Sequence, residues 1–393
     1  MPGAPRPRRF DLALAGVVLV AGAGLYGLSS SPSSSAHVTQ PAGFGWSLPN
    51  EFPQPRVPAS NPMRAAKIEV GRRLFYDVRL SGNGTQSCGS CHIQALAFTD
   101  GRTTAIGSTN QIHPRNSQSL VNVAYMSTLT WANPSLVTLE QQMEVPLFGT
   151  APVEMGVTDA NRGAILARIR KDPWYARRFK QAFPGMRAPI SWPTIVKSIA
   201  AFERSIISAR SRYDRYLAGK ARLTAAERRG MNLFMGERTE CHHCHGSFIF
   251  NDQVSYTGAP AEQPKFHNTG LYNIDGKGGF PEPNRGVFEL TGDPQDMGKF
   301  RAPSLRNVEL TAPYMHDGSI KTLEDAVAHY AAGGRVIDQG PLAGDGRANP
   351  YKDPQIAPID LSERDRSDLV AFLKTLTDRA VTKDPRFSNP FDR

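Results

Sequence analysis

The sequence predicts a mainly α fold built from two units of one layout, joined by long irregular loops. Three observations carry this. Apolar residues recur at helical spacing behind N-terminal caps, strand signals are sparse, and one order of helix, polar loop and Cys-x-x-Cys-His occurs twice. The length of 393 residues suits two domains or three. Hydrophobic residues at 40% and charged residues at 21% describe a globular chain with a core of ordinary size. A multi-span membrane protein, a coiled coil, a collagen and a disulfide-rich scaffold are excluded on the same grounds.

The elements follow in order. Residues 29–60 are rich in Ser, Pro and Gly and read as connection, with residues 37–60 as the linker proper. A first helix is expected to open at Asn61-Pro62, a cap followed by Pro at the first helical position, with Ala66, Val70, Leu74 and Phe75 on one side. The polar loop SGNGTQS then leads to Cys88. Ile195, Val196, Ile199, Phe202 and Ile206 form a stripe that closes this unit with a helix within 192–209. In the second half Thr224-x-x-Glu227 is a capping box ahead of Met231, Leu233 and Phe234. A short loop reaches Cys241, and Ser362 caps a closing helix with Leu369, Val370, Phe372, Leu373 and Leu376. Gly71-x-x-Leu74-Phe75 and Gly230-x-x-Leu233-Phe234 align, which marks an internal duplication. The expected domains are 61–215 and 216–380, with the boundary near 212–222 and a tail at 381–393.

The four cysteines are Cys88, Cys91, Cys241 and Cys244, and none is left over. Each Cys-x-x-Cys pair is followed at once by a histidine, His92 or His245. This is the attachment signature of a covalent c-type haem. One copy is open to a redox or zinc reading, but two copies that use every cysteine favour two haems. Each thiol pair would tie a porphyrin by thioethers, and His92 and His245 would ligate the irons. Each unit is then a cytochrome c-like domain, whose haem fills a core that short helices would otherwise lack. The ligand at the sixth position decides between electron transfer and an iron open to a small oxidant.

The N-terminus carries Arg6, Arg8 and Arg9, then 17 residues from Leu12 to Leu28 rich in Ala, Gly, Val and Leu. Residues 1–36 read as an export signal with cleavage after Ala36, or as an uncleaved N-terminal anchor. Either places the folded part outside the cytoplasm, in the periplasm or an equivalent space. The formal charge is +10. The first 36 residues carry two of those charges, and four haem propionates would cancel four more. The basic residues are scattered and not interleaved with aromatics, so nucleic acid is not the expected partner.

Longer motifs resemble a known family. Lys299-Phe-Arg-Ala-Pro-Ser-Leu-Arg-Asn-Val-Glu-Leu-Thr-Ala-Pro-Tyr-Met-His-Asp-Gly318, Phe266-His-Asn-Thr-Gly270 and Pro152-Val-Glu-Met155 resemble the hallmarks of bacterial dihaem cytochrome c peroxidases and their MauG relatives. So do both Cys-x-x-Cys-His motifs. The resemblance spans residues 60–380. It implies peroxide chemistry at the N-terminal haem and electron acceptance or storage at the C-terminal one.

Two departures place the chain on the MauG-like branch. Peroxidases of this kind commonly carry a removable distal His in the loop that is here Ala105–Asn116, and the matching position is Ser108. A hydroxyl is a poor haem ligand, so the N-terminal iron is expected to be open, with nearby His113 as a substitute ligand or a plain loop residue. The second haem of such peroxidases takes a Met fourteen residues after the His of His-Asp-Gly. Counting from His316 gives Tyr330, and MauG-like enzymes resemble this chain in having a Tyr ligand there. A hard anionic phenolate favours oxidised iron, as Met does not. Leu323, Ala326, Val327 and Tyr330 share one helical face, which points Tyr330 at a haem. The alternatives are a core tyrosine with Met315 or Met297 as ligand.

The resemblance also implies further roles. Glu154 matches the distal acid that takes a proton from peroxide and returns one to the departing oxygen. Its alternative is a solvated loop acid. Gln142 and Pro146 match the distal pocket. Trp131, 39 residues after His92, matches a tryptophan between the haems that relays oxidising equivalents, or else is a core aromatic. Asn116, Thr311 and Pro313 match a calcium site, the last two through backbone oxygens.

The expected activity is that of an exported dihaem peroxidase reducing hydrogen peroxide. Its reductant is a small cytochrome c or cupredoxin, or a residue on a protein substrate as in MauG-type oxidative maturation. The alternative from another class is a non-enzymatic dihaem electron carrier with both irons six-coordinate.

Overall fold

The computed structural model describes residues 44–260 and 263–392. The export segment 1–36 and the start of the linker lie outside these residues. Among the described residues no helix is long and apolar enough to cross a membrane.

Among the described residues, seven helices of nine residues or more carry the fold: α1 (Ala65–Tyr76), α2 (Arg162–Lys171), α3 (Pro173–Ala182), α4 (Trp192–Arg204), α5 (Ala225–Phe234), α6 (Leu323–Ala331) and α7 (Glu363–Lys374). Short helical turns and loops connect them. The strands among the described residues are β1 (Val336–Ile337) and β2 (Gly344–Asp345), an antiparallel pair with Val336 opposite Asp345. The helix-rich chain with little sheet matches the expected class.

The duplication is built into the packing. α1 crosses α4 in the first half, and α5 crosses α7 in the second. A Cβ at Gly71 would run into the Ser198 carbonyl oxygen, and one at Gly230 into that of Asp368. The two aligned glycines therefore let each pair of helices approach backbone to backbone. Val70, Leu74 and Phe75 meet Ile195, Ile199 and Phe202 in one core, while Phe234 meets Leu369, Phe372 and Leu373 in the other. The Thr224–Glu227 capping box forms as expected, and Ser362 caps α7 by accepting from the Asp365 amide. The duplication extends further. Asn122 and Asn307 both have φ near +60°, and each precedes a single 3-10 turn.

Several boundaries differ from expectation. The first helix opens at Ala65, with Arg64 extended before it, and not at Asn61-Pro62. The Asn61 side chain is taken elsewhere: it donates to Glu140 Oε1 at 2.6 Å and accepts from Lys67 Nζ at 2.7 Å, fully buried. Burial lowers the Lys67 ammonium to about 8. The closing helix of the first half stops at Arg204, so Ile206 reaches the core from an extended segment.

The described part of the linker, 44–60, is packed. Phe52 is buried edge-on against Tyr125 and Phe248, and the Tyr125 hydroxyl donates to the Pro53 carbonyl. The tail also docks. Phe387 and Val381 enter the core of the first half, and Tyr76 and Gln94 hydrogen-bond its backbone. One buried aromatic contributes about 1.5–3 kcal/mol, enough to anchor a short segment that has no periodicity.

Candidate active site

The two attachment motifs sit on short helical turns, Cys88–Cys91 and Cys241–His245. Helical spacing of three sets both thiols of a pair on one face. All four thiols are free of disulfides. The following histidines are held alike. His92 Nδ1 lies 2.8 Å from the Phe98 carbonyl oxygen, and His245 Nδ1 lies 2.9 Å from that of Phe250. Phe98 and Phe250 both have positive φ, which turns those carbonyls inward. A carbonyl on Nδ1 fixes the tautomer with its proton there and leaves Nε2 as the nitrogen for iron. Burial lowers both imidazole pKa values and favours the neutral, ligating form. The pairs of free thiols with an oriented histidine suit a covalently held haem at each site.

Backbone hydrogen bonds tie Glu154, Pro146 and Ser108 together in the first half. Met155 N donates to the Pro146 carbonyl at 2.9 Å, which sets Glu154 next to Pro146, the central residue of the short helix Glu144–Phe148. Gln142 closes the preceding turn Leu139–Gln142. Ser108 N donates to the Glu154 carbonyl at 2.7 Å, so the loop that departs from the family pattern is stitched to the acid. Ser108 itself is buried. The Glu154 charge is felt at Cys88, Cys91 and His92. His113 Nε2 lies 3.1 Å from Glu154 Oε1. The imidazole thus stands beside the carboxylate, a proximity the sequence did not reveal because the two lie 41 positions apart.

A large cavity borders the second motif. Cys241, Cys244 and His245 line it together with Leu323, Ala326, Val327 and Tyr330 of α6. The face read from spacing therefore faces this cavity. Met315 also lines it, while Met297 packs in a neighbouring apolar cluster. Beside Cys244 sits an arrangement missed in the sequence. His267 lies 2.6 Å from Asp353 and 2.7 Å from Asp252, one carboxylate on each ring nitrogen. Burial alone would lower its pKa, but the two carboxylates hold it up to about 12. Phe266-His-Asn-Thr-Gly270 flagged the histidine, and only the fold supplies acids from both sides.

Trp131 lines the same cavity, buried, and its indole donates to the Asn116 carbonyl at 2.9 Å. Asn116 N donates in turn to the His316 carbonyl at 2.7 Å. His316 stacks on Phe300 with ring centroids 3.6 Å apart, and burial lowers it to about 4. Asn116, Thr311 and Pro313 converge on this cavity wall. The Asn116 side-chain nitrogen donates to the Arg102 carbonyl at 2.8 Å, which turns its oxygen the other way. Among the described residues nothing donates to that oxygen or to the Thr311 and Pro313 carbonyls.

Comparison with known proteins agrees with this geometry. Residues 65–222 match the family model of di-haem cytochrome c peroxidases. The cytochrome-c peroxidase IdrP1 of Denitromonas iodatirespirans is 37% identical over 86% of this chain and 89% of its own. The methylamine utilization protein MauG of Methylorubrum extorquens is 32% identical over 84% of this chain and 82% of its own. A crystal structure of a MauG-like protein associated with microbial copper homeostasis superposes with a TM-score of 0.88 at 57% identity, covering 88% of this chain and 99% of that one.

Proposed function

The chain belongs to the di-haem cytochrome c peroxidase family that includes MauG, and from that premise we propose a division of labour between its two sites. The site at Cys88, Cys91 and His92 reduces hydrogen peroxide. The site at Cys241, Cys244, His245 and Tyr330 stores or relays the oxidising equivalents. The enzyme works outside the cytoplasm, in line with residues 1–36. The observation that supports the reading is the stitched group of Glu154, Pro146 and Ser108, in which Ser108 offers no strong ligand.

A bound haem supplies iron as the electron donor and acceptor for peroxide. The chain's own residues handle protons and position. Glu154 takes a proton from one peroxide oxygen and delivers one to the other as it leaves as water. His113, at 3.1 Å, holds the carboxylate and exchanges protons with it. Gln142 offers an amide donor, and Pro146 shapes the wall. Trp131, tied through Asn116 to the wall shared by both halves, passes oxidising equivalents. Asn116, Thr311 and Pro313 would hold calcium there and stiffen the path.

Two electron sources are compatible with this site. One is a small cytochrome c or cupredoxin, giving peroxide removal. The other is a side chain on a partner protein, giving oxidative maturation. The second is favoured by the 57% identity to a MauG-like protein associated with microbial copper homeostasis, a setting we extend to this chain. The test is stopped-flow mixing of the ferric holoprotein with peroxide, with and without a reduced cytochrome. Rapid change in the haem bands, persisting without the cytochrome, is expected. Bands that do not respond to peroxide overturn the proposal.

A further inference from the structure

Both residues between Cys241 and Cys244 are histidines, and neither lines the cavity that those cysteines face. His242 and His243 instead stand on the outer side of the turn with ring centroids 4.3 Å apart. His242 Nε2 lies 3.5 Å from Glu237 Oε1, and His243 Nε2 lies 3.5 Å from Glu237 Oε2. Both separations are too long for hydrogen bonds. One carboxylate thus faces two imidazoles, each ring opposite a different oxygen, with a gap between them.

We propose that Glu237, His242 and His243 form a binding site for a divalent transition-metal ion, Cu(II) or Zn(II), on the outside of the second haem-attachment turn. One donor atom from each residue falls within 4.8 Å of the others. An ion about 2.1 Å from each donor with tetrahedral angles spaces the donors by about 3.4 Å. Each imidazole already lies 3.5 Å from one of the two carboxylate oxygens, close to that spacing, and the carboxylate can swing on its exposed side chain to present one oxygen to both. Two nitrogens and one oxygen select an ion of intermediate softness over calcium or magnesium, which prefer oxygen alone. The donors are uncommitted: among the described residues neither Nε2 nor the Glu237 carboxylate makes a hydrogen bond. The His242 Nδ1 atom is buried without a partner, so no hydrogen bond holds this ring in place. A metal on its Nε2 would do so. The Glu237 side chain is 80% exposed, which leaves room for water to complete the shell and for the ion to exchange.

The test uses untagged, chelator-washed holoprotein titrated with Cu(II) followed by electron paramagnetic resonance, and with Zn(II) followed by calorimetry. One equivalent of copper with nitrogen couplings from two imidazoles is expected. Calcium in excess should not displace it. The double variant His242→Gln/His243→Gln should bind at least about tenfold more weakly with its haem bands unchanged. Should that variant fail to take up haem, Glu237→Ala leaves the attachment motif intact and must weaken binding as well. Wild-type protein that takes up neither metal overturns the site, and so does equal binding by wild type and variant.

Discussion

The two haem-attachment units are alike on the side that holds the ring and unlike on the side that faces it. In both, a glycine-mediated helix crossing positions a Cys-x-x-Cys-His turn, and a phenylalanine with positive φ offers its carbonyl to the histidine Nδ1. Opposite that shared frame, the first unit gathers Glu154 with His113 close by, on loops pinned by backbone hydrogen bonds. The second presents the face of a regular helix ending in Tyr330. A duplicated scaffold has thus kept the geometry of its Cys-x-x-Cys-His turns while the residues around them diverged, a carboxylate beside an imidazole in one half and a tyrosine on a helix face in the other. The environment of iron, more than its attachment, separates reaction from storage.

That contrast can be broken from either side. The largest effect is expected at Glu154. Glu154→Gln keeps the shape of the side chain and removes its proton exchange, and should slow the reaction with peroxide by about 10²–10⁴-fold in stopped-flow mixing. Haem content should not change. The second unit should respond in potential: Tyr330→Met is expected to make its haem easier to reduce, by on the order of 100 mV or more in a spectroelectrochemical titration. An unchanged potential would assign the ligand to another residue, with Met315 next in position.

The shared frame gives a smaller, symmetrical pair. Gly71→Ala and Gly230→Ala each push a methyl group into a carbonyl of the facing helix, and each should cost about 1–3 kcal/mol in denaturant unfolding. Similar losses would support equivalent crossings in the two halves. The smallest effect is expected at His113, which touches the acid and not the substrate. His113→Gln should reduce the peroxide rate by about threefold to tenfold, since the carboxylate then loses the imidazole beside it.

Much of this frame was legible in the sequence because it is local. The Cys-x-x-Cys-His spacing, the Thr224 and Ser362 caps, and the stripe Leu323, Ala326, Val327, Tyr330 are all short-range patterns. The distant pairings were not legible. Asn61 looked like a cap because its demand by Lys67 and Glu140 cannot be seen from neighbours. The linker and the tail looked unstructured because each is anchored by isolated aromatics, Phe52 and Phe387, whose partners lie far along the chain. His267 was visible within a motif, but its clamp by Asp252 and Asp353 needed the fold. Resemblance supplied Glu154, and the fold supplied its neighbour His113.

The difference between the two units is tested most directly by electron paramagnetic resonance of the ferric protein at rest. A high-spin signal from one haem beside a low-spin signal from the other is the predicted result. Two purely low-spin signals would mean that both irons are filled on both sides, and the chain would then be an electron carrier with no place for peroxide.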